Sequence, residues 1–124
     1  MQNWNDHFDL LIKSRTPLIL IRSGEEDRVA ALILQATKRL APRRLAIWDY
    51  INGLQGVLNS EGLGARQPMG VLQWLQKQDS SSPTILLAKD FHRFSEDAGI
   101  TRMLRNLSLE LREKPHTIVI TSAN

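Results

Sequence analysis

The chain is 124 residues and 14.1 kDa, enough for one domain that buries about two thirds of the surface its unfolded form exposes. It is 42% hydrophobic and 23% charged, ordinary for a soluble globular protein, and its lack of cysteine excludes disulfides, thiolate metal sites, iron–sulfur ligation and cysteine nucleophiles. Sixteen Lys and Arg against thirteen Asp and Glu leave a net charge of +3, which permits a nucleic-acid partner without requiring one. No apolar run reaches the ~18 residues of a membrane span, and the N-terminus has neither the basic nor the apolar region of a signal peptide, so the expectation is a cytoplasmic, single-domain protein.

Taken in chain order, Asn3 to Lys13 carries Trp4, Phe8, Leu11 and Ile12 on one helical face, with Asn3 or Asn5 as cap. Pro17 to Arg22 is a short continuous apolar run, the pattern of a strand buried on both faces. Glu25 to Leu40 reads as a helix, Arg44 to Asp49 as a second strand. Tyr50 to Gln67, with glycines at 53, 56, 62 and 64, reads as a long irregular loop of the kind that usually carries function. Pro68 starts a third helix, Thr84 to Lys89 is a third strand, Glu96 to Lys114 a fourth helix, and Thr117 to Thr121 a fourth strand. Alternation of this kind predicts an α/β three-layer sandwich: a four-stranded parallel sheet with helices on both faces. The stop soon after a buried-looking strand reads as a fragment of a longer protein.

In such folds ligands bind beyond the carboxyl ends of the strands. The turn after the first strand, Arg22-Ser23-Gly24-Glu25-Glu26-Asp27, has one glycine, no lysine and three consecutive acids. A phosphate-binding loop needs glycines and a lysine there, and Ser23 with Glu26 has the spacing of a capping box that would satisfy the helix amides internally. The turn therefore reads as closed to nucleotide. Asp90 ends the third strand where phosphate-binding folds hold Mg²⁺, but without a phosphate loop the plainer reading is a strand-end aspartate bonded to a turn or an arginine. Thr121 to Asn124 reads as a strand leaving the core for solvent. His7, His92 and His116 show no ligand spacing and are expected at the surface or at helix ends. The three tryptophans occupy core-like positions. Arg102, Arg105 and Arg112, with Arg93, make a basic stripe suited to an acidic partner or to phosphate backbone; the plainer reading is a solvated helix face with local pairs to Glu96, Glu110 and Glu113.

Several elements occur together: Glu25-Glu26-Asp27-Arg28, Trp48-Asp49-Tyr50 with Gly53 and Gly56, Lys89-Asp90-Phe91-His92-Arg93-Phe94, and Arg102-Met103-Leu104-Arg105-Asn106-Leu107. In combination they resemble the N-terminal domain of the AAA ATPase encoded in some plastid genomes and in cyanobacteria as a hypothetical chloroplast reading frame. The resemblance implies that residues 1–124 form a degenerate RecA-like domain preceding a true AAA module. It implies strand order 2-3-4-1 with a fifth strand missing beside the first; a flavodoxin-like 2-1-3-4 order is the alternative. Ser23, Gly24 and Glu26 would stand where a phosphate loop was, Asp90 where the Mg²⁺ acid was, and Asn124 where the sensor residue was. The chain itself would then be no enzyme and hold no cofactor, ATP and Mg²⁺ belonging to the full-length protein. Its partners would be its own AAA module and further subunits, a hexamer among the assemblies, in the cytoplasm or the plastid stroma, with a regulatory role in photosynthetic organisms. The Arg93, Arg102, Arg105 and Arg112 face and the loop Asn52 to Arg66 are the expected contact regions. A nucleic-acid module and a cryptic ATP-binding domain are the alternatives.

Overall fold

The structure, a computed structural model, describes residues 2–40, 42–57 and 66–123. The elements run α1 (Gln2–Lys13), β1 (Leu18–Arg22), α2 (Glu26–Arg39), β2 (Arg44–Asp49), β3 (Gly53–Gln55), α3 (Pro68–Lys77), β4 (Thr84–Lys89), a 3-10 turn (Phe91–Phe94), α4 (Ala98–Glu110) and β5 (His116–Ser122). They form an α/β fold around one sheet in the order β1-β5-β4-β2-β3. The parallel strands β2, β4, β5 and β1 stand in the expected 2-3-4-1 order, and the flavodoxin-like alternative is excluded. The expectation of four strands, all parallel, needs correction. A fifth strand, β3, pairs antiparallel with β2 at the far edge from β1.

Physical chemistry explains that extra strand. The Asp49 carboxylate accepts hydrogen bonds from the backbone N–H of Ile51 (2.8 Å) and Asn52 (2.7 Å) and from the Asn52 side-chain amide (3.0 Å). This tight turn reverses the chain at once. Gly53 and Gly56 sit at φ +74° and +87°, where other residues are strained. A Cβ on Gly56 would lie 2.7 Å from the Leu45 carbonyl oxygen, so the chain passes β2 too closely for a side chain.

Each face of the sheet carries a core. On one, α3 and α4 bury Val71, Leu72, Leu75, Ile100 and Leu107 against Trp48, Leu86, Ile118 and Ile120. On the other, α1 and α2 bury Phe8, Ile12, Val29 and Ile33 against Ile19, Ile85, Leu87 and Val119. β5 is buried throughout and β4 up to Ala88, which is why both read as apolar runs. Connections that run towards β1 (β2 to β4, β4 to β5) place their helices on one face. The connection that runs away from β1 places α2 on the other, the regular doubly wound arrangement.

Several local expectations are corrected. α1 begins before both asparagines expected to cap it. α4 is shorter than the expected Glu96 to Lys114: the Asp97 carboxylate accepts from the Ile100 amide (3.0 Å) and sets the start at Ala98, and the helix ends at Glu110. His116 is not a surface residue but is 1% exposed inside β5. Thr121 and Ser122 do not leave the core; β5 stays buried through Ser122. Trp48 and Trp74 are buried, whereas Trp4 is half-buried and stacks on Phe8 at 5.0 Å.

Candidate functional site

The carboxyl ends of β1, β5 and β4 converge on a crevice lined by Ser23, Gly24, Glu26 and Asp90, with Thr121 to Ala123 on its far wall. These are the residues the sequence nominates, apart from Asn124, which lies outside the described residues. The crevice measures about 30 Å³. That is about the room of one water molecule, and far below the several hundred Å³ of an ordinary ligand pocket.

The capping box does not form. Ser23 Oγ accepts from the Glu25 N–H at 3.0 Å, and Glu25, which precedes α2, makes no side-chain cap. Glu26 pairs instead with Lys89 at the end of β4, 3.4 Å away, and both line the groove beside the crevice. The turn is thus occupied by an ion pair rather than by a cap. No atom lies within 4 Å of where a Cβ on Gly24 would sit, so the turn's own packing does not require glycine. Asp90 has a left-handed backbone, φ 56°. Its N–H donates to the Thr121 carbonyl (2.9 Å) and its carbonyl accepts from the Arg93 N–H (3.1 Å), which ties the 3-10 turn to β5. His92 on that turn is half-buried; its Nε2 lies 3.4 Å from Ser122 Oγ, and its buried Nδ1 has no partner among the described residues.

Beside the crevice lies a larger groove of about 460 Å³, lined by Tyr50, Ile51, Phe94, Arg93 and Lys89 together with Glu26, Asp49 and Asp90. Its floor is an aromatic cluster: Phe94 packs on Trp48 (6.0 Å) and Phe91 (5.7 Å), and Tyr50 on Phe94 (5.7 Å). Burial pushes the Asp49 pKa up, but hydrogen bonds from Asn52 and Ile51 and the charge of Lys89 outweigh it and hold the carboxyl below its usual range. The sequence did not nominate this groove. Its signal was the apolar pair Tyr50-Ile51 in an otherwise polar turn.

The arginines do not form one stripe. Arg93 lines the groove, whereas Arg102 and Arg105 are exposed on α4 and Arg112 just beyond its end. Among the described residues none of the four makes an ion pair. Glu110, an expected local partner, accepts instead from Gln76 of α3 (3.0 Å). Much of the expected loop contact region, residues 58–65, lies outside the described residues.

A second polar cluster, which no local pattern of residues announces, sits at the opposite end of the sheet. Gln78, which ends α3, is its hub. Its backbone carbonyl accepts from Lys114 Nζ (3.4 Å) and faces His116 Nε2 (3.0 Å); its side-chain oxygen accepts from Arg44 (2.9 Å), and its side-chain amide donates to the Trp74 carbonyl (2.9 Å). Burial holds the His116 pKa below its ordinary value of 6.5, and the charge of Lys114 adds to this while the Gln78 carbonyl opposes it. A neutral ring therefore donates from Nε2, and Nδ1 is buried without a partner among the described residues.

Comparison with known proteins agrees with the resemblance read from the sequence. Residues 4–124 match the family described as the SpoVK-like AAA ATPase, N-terminal domain. An AAA domain-containing protein named ycf46 from Trieres chinensis is 37% identical over 98% of this chain, and one from Guillardia theta is 38% identical over 94%. The proteins of that name from Pyropia yezoensis and Gracilaria tenuistipitata var. liui are 29% and 25% identical. The chain spans about a quarter of the length of these relatives.

Proposed function

Because the chain belongs to the SpoVK-like AAA ATPase N-terminal domain family, we propose that it is a non-catalytic domain that regulates or assembles an AAA ATPase, or presents a partner surface to it. On this reading residues 1–124 are a degenerate RecA-like domain, and ATP and Mg²⁺ act elsewhere in the longer protein. The observation that carries the proposal is the crevice at the carboxyl ends of β1 and β5. It has the room of about one water, and Glu26 in its wall is paired with Lys89, which lines the neighbouring groove. A triphosphate there would meet the carboxylates of Glu25, Glu26 and Asp27 at the start of α2, where phosphate-binding folds present uncapped amides to their ligand. The residues present do not suit the group, so no catalytic step is assigned to them.

Calorimetric titration of the chain with Mg-ATP tests this. The expected outcome is no heat of binding up to millimolar nucleotide. Saturable heat that disappears in Asp90→Ala would overturn the proposal in favour of a cryptic nucleotide site.

A further inference from the structure

We infer that the groove at the carboxyl ends of β2 and β4 is a small-molecule site for a free α-amino acid with an aromatic side chain. Its α-carboxylate sits on Arg93, its α-ammonium on Asp90, and its ring on the floor made by Tyr50, Ile51 and Phe94. The inference concerns this groove and not the neighbouring crevice, so it stands whether or not the crevice binds nucleotide.

Five charged side chains line the groove: Glu26, Asp49, Lys89, Asp90 and Arg93. Three of them are already answered. Lys89 pairs with Glu26 at 3.4 Å, and its charge also acts on Asp49. Both Asp49 oxygens accept within their own turn, from the Ile51 and Asn52 N–H groups and the Asn52 side-chain amide. Asp90 and Arg93 are left, one of each sign. Both are exposed, and neither side chain makes an ion pair or hydrogen bond among the described residues. They do not answer each other, although they stand three residues apart. Side chains at that spacing eclipse in a regular 3-10 helix. Asp90, however, precedes the turn with a left-handed backbone (φ 56°), which takes its side chain out of that line. The groove thus holds a free carboxylate and a free guanidinium, both on a turn whose backbone is tied to β5.

The rest of the lining is apolar. Phe94 rests on Trp48 and Phe91, which are fully buried, and Tyr50 lies tilted against it with ring centres 5.7 Å apart. Tyr50 is 53% and Ile51 72% exposed, so a ring settling on them removes apolar surface from water. The volume of about 460 Å³ is that of an ordinary small-molecule site.

These features select the ligand. A lone anion on Arg93 would leave Asp90 opposing it, and a lone cation on Asp90 would meet Arg93 and Lys89. A purely apolar molecule would take water from both free charges and give nothing back. An α-amino acid carries a carboxylate, an ammonium and a side chain on one carbon, and so answers all three parts of the groove. The guanidinium fork suits the carboxylate, and Tyr50 and Phe94 suit an aromatic ring.

Nuclear magnetic resonance titration of the isotope-labelled chain with L-phenylalanine tests this. The expected result is saturable shifts of the Ile51 and Phe94 amides and of the Trp48 indole N–H, with a Kd of about 1 mM or tighter. The Trp74 indole, beside Arg44 at the other end of the sheet, should not move. Removing the ammonium (N-acetylphenylalanine) or the carboxylate (phenylalaninamide) should each weaken binding at least about tenfold. Arg93→Gln should cost phenylalanine the same factor and leave phenylalaninamide unchanged. Asp90→Asn, which tolerates the left-handed backbone, should cost phenylalanine the same factor and leave N-acetylphenylalanine unchanged. Both residues are exposed, and unaltered spectra away from the groove verify that each variant folds. No shift at about 10 mM phenylalanine would overturn the proposal. So would equal binding of the three compounds, which would leave only an apolar cleft, or shifts confined to Ser23 and Ser122, which would put the ligand in the crevice. Groove shifts that follow protein concentration without ligand, with a dimer mass in sedimentation, would make a second copy the occupant and overturn it too.

Discussion

At the carboxyl end of the sheet Lys89 answers a carboxylate, Glu26, at 3.4 Å; at the amino end Arg44 and Lys114 answer neutral oxygens. Lys114 reaches the carbonyls of Gln76 and Gln78, and Arg44 reaches Gln78 Oε1 (2.9 Å), Thr84 Oγ1 (2.8 Å) and the Ser82 carbonyl (3.5 Å) while lying 5.6 Å from the centre of the Trp74 ring. The carbonyls of Gln76 and Gln78 finish α3 and form the negative end of its dipole. The amino end is thus a knot in which a helix terminus substitutes for carboxylates, and Arg44 and His116 tie β2 and β5 to it. The carboxyl end is a looser pair beside a crevice, at the place where doubly wound folds hold their ligands. The difference teaches that partly buried charge on this protein is structural at one end and dispensable at the other.

The largest test of that contrast is Arg44→Met. It keeps most of the apolar stem but leaves Gln78 and Thr84 oxygens without their donor, so it should cost about 2 kcal/mol. Urea denaturation followed by tryptophan fluorescence reads it directly. A loss no larger than that of an exposed arginine such as Arg102→Met would show that the knot is ornamental.

A second test uses pH. His116 is buried neutral, with Lys114 and Arg44 facing it as like charges and Asp79 as the nearby carboxylate, itself held low by hydrogen bonds from the Ser81 side chain and amide. The folded pKa lies below the unfolded value of 6.5, so below that pH the unfolded chain binds more protons. Stability is complete above pH 6.5 and falls as the pH drops from there towards the folded pKa. His116→Gln should lower the plateau and remove this slope; a variant that kept the slope would assign it to another group.

How far these regions could be read from the sequence follows from the range of the interactions that make them. β2 and β4 matched their expected limits because each is a short apolar run ended by a charged residue, a local signal. β3 did not, because Gly53-Leu54-Gln55 has no alternation to detect; it pairs only because Asp49 folds its carboxylate onto two amides. The crevice residues Ser23, Gly24, Glu26 and Asp90 were legible because strand ends gather on one side of any parallel sheet. What they do there was not: Ser23 and Glu26 have capping-box spacing, and only tertiary structure brings Lys89 within reach of Glu26. The Gln78 knot was invisible for the same reason. Its donors, Arg44, Lys114 and His116, are separated from it by 34, 36 and 38 residues.

The smallest expected effect is at the carboxyl end. Glu26 is half exposed and its pair with Lys89 is open to solvent, so Glu26→Gln should change stability by no more than about 0.5 kcal/mol. The informative reading is binding rather than stability. Glu26→Gln removes one of the acids that oppose a phosphate and frees Lys89, yet it adds no glycine and does not widen a crevice of about 30 Å³. Mg-ATP should therefore still give no heat. If the variant gained nucleotide binding, the ion pair would be a gate over a retained site, and the two ends of the sheet would differ in function and not only in how tightly they hold charge.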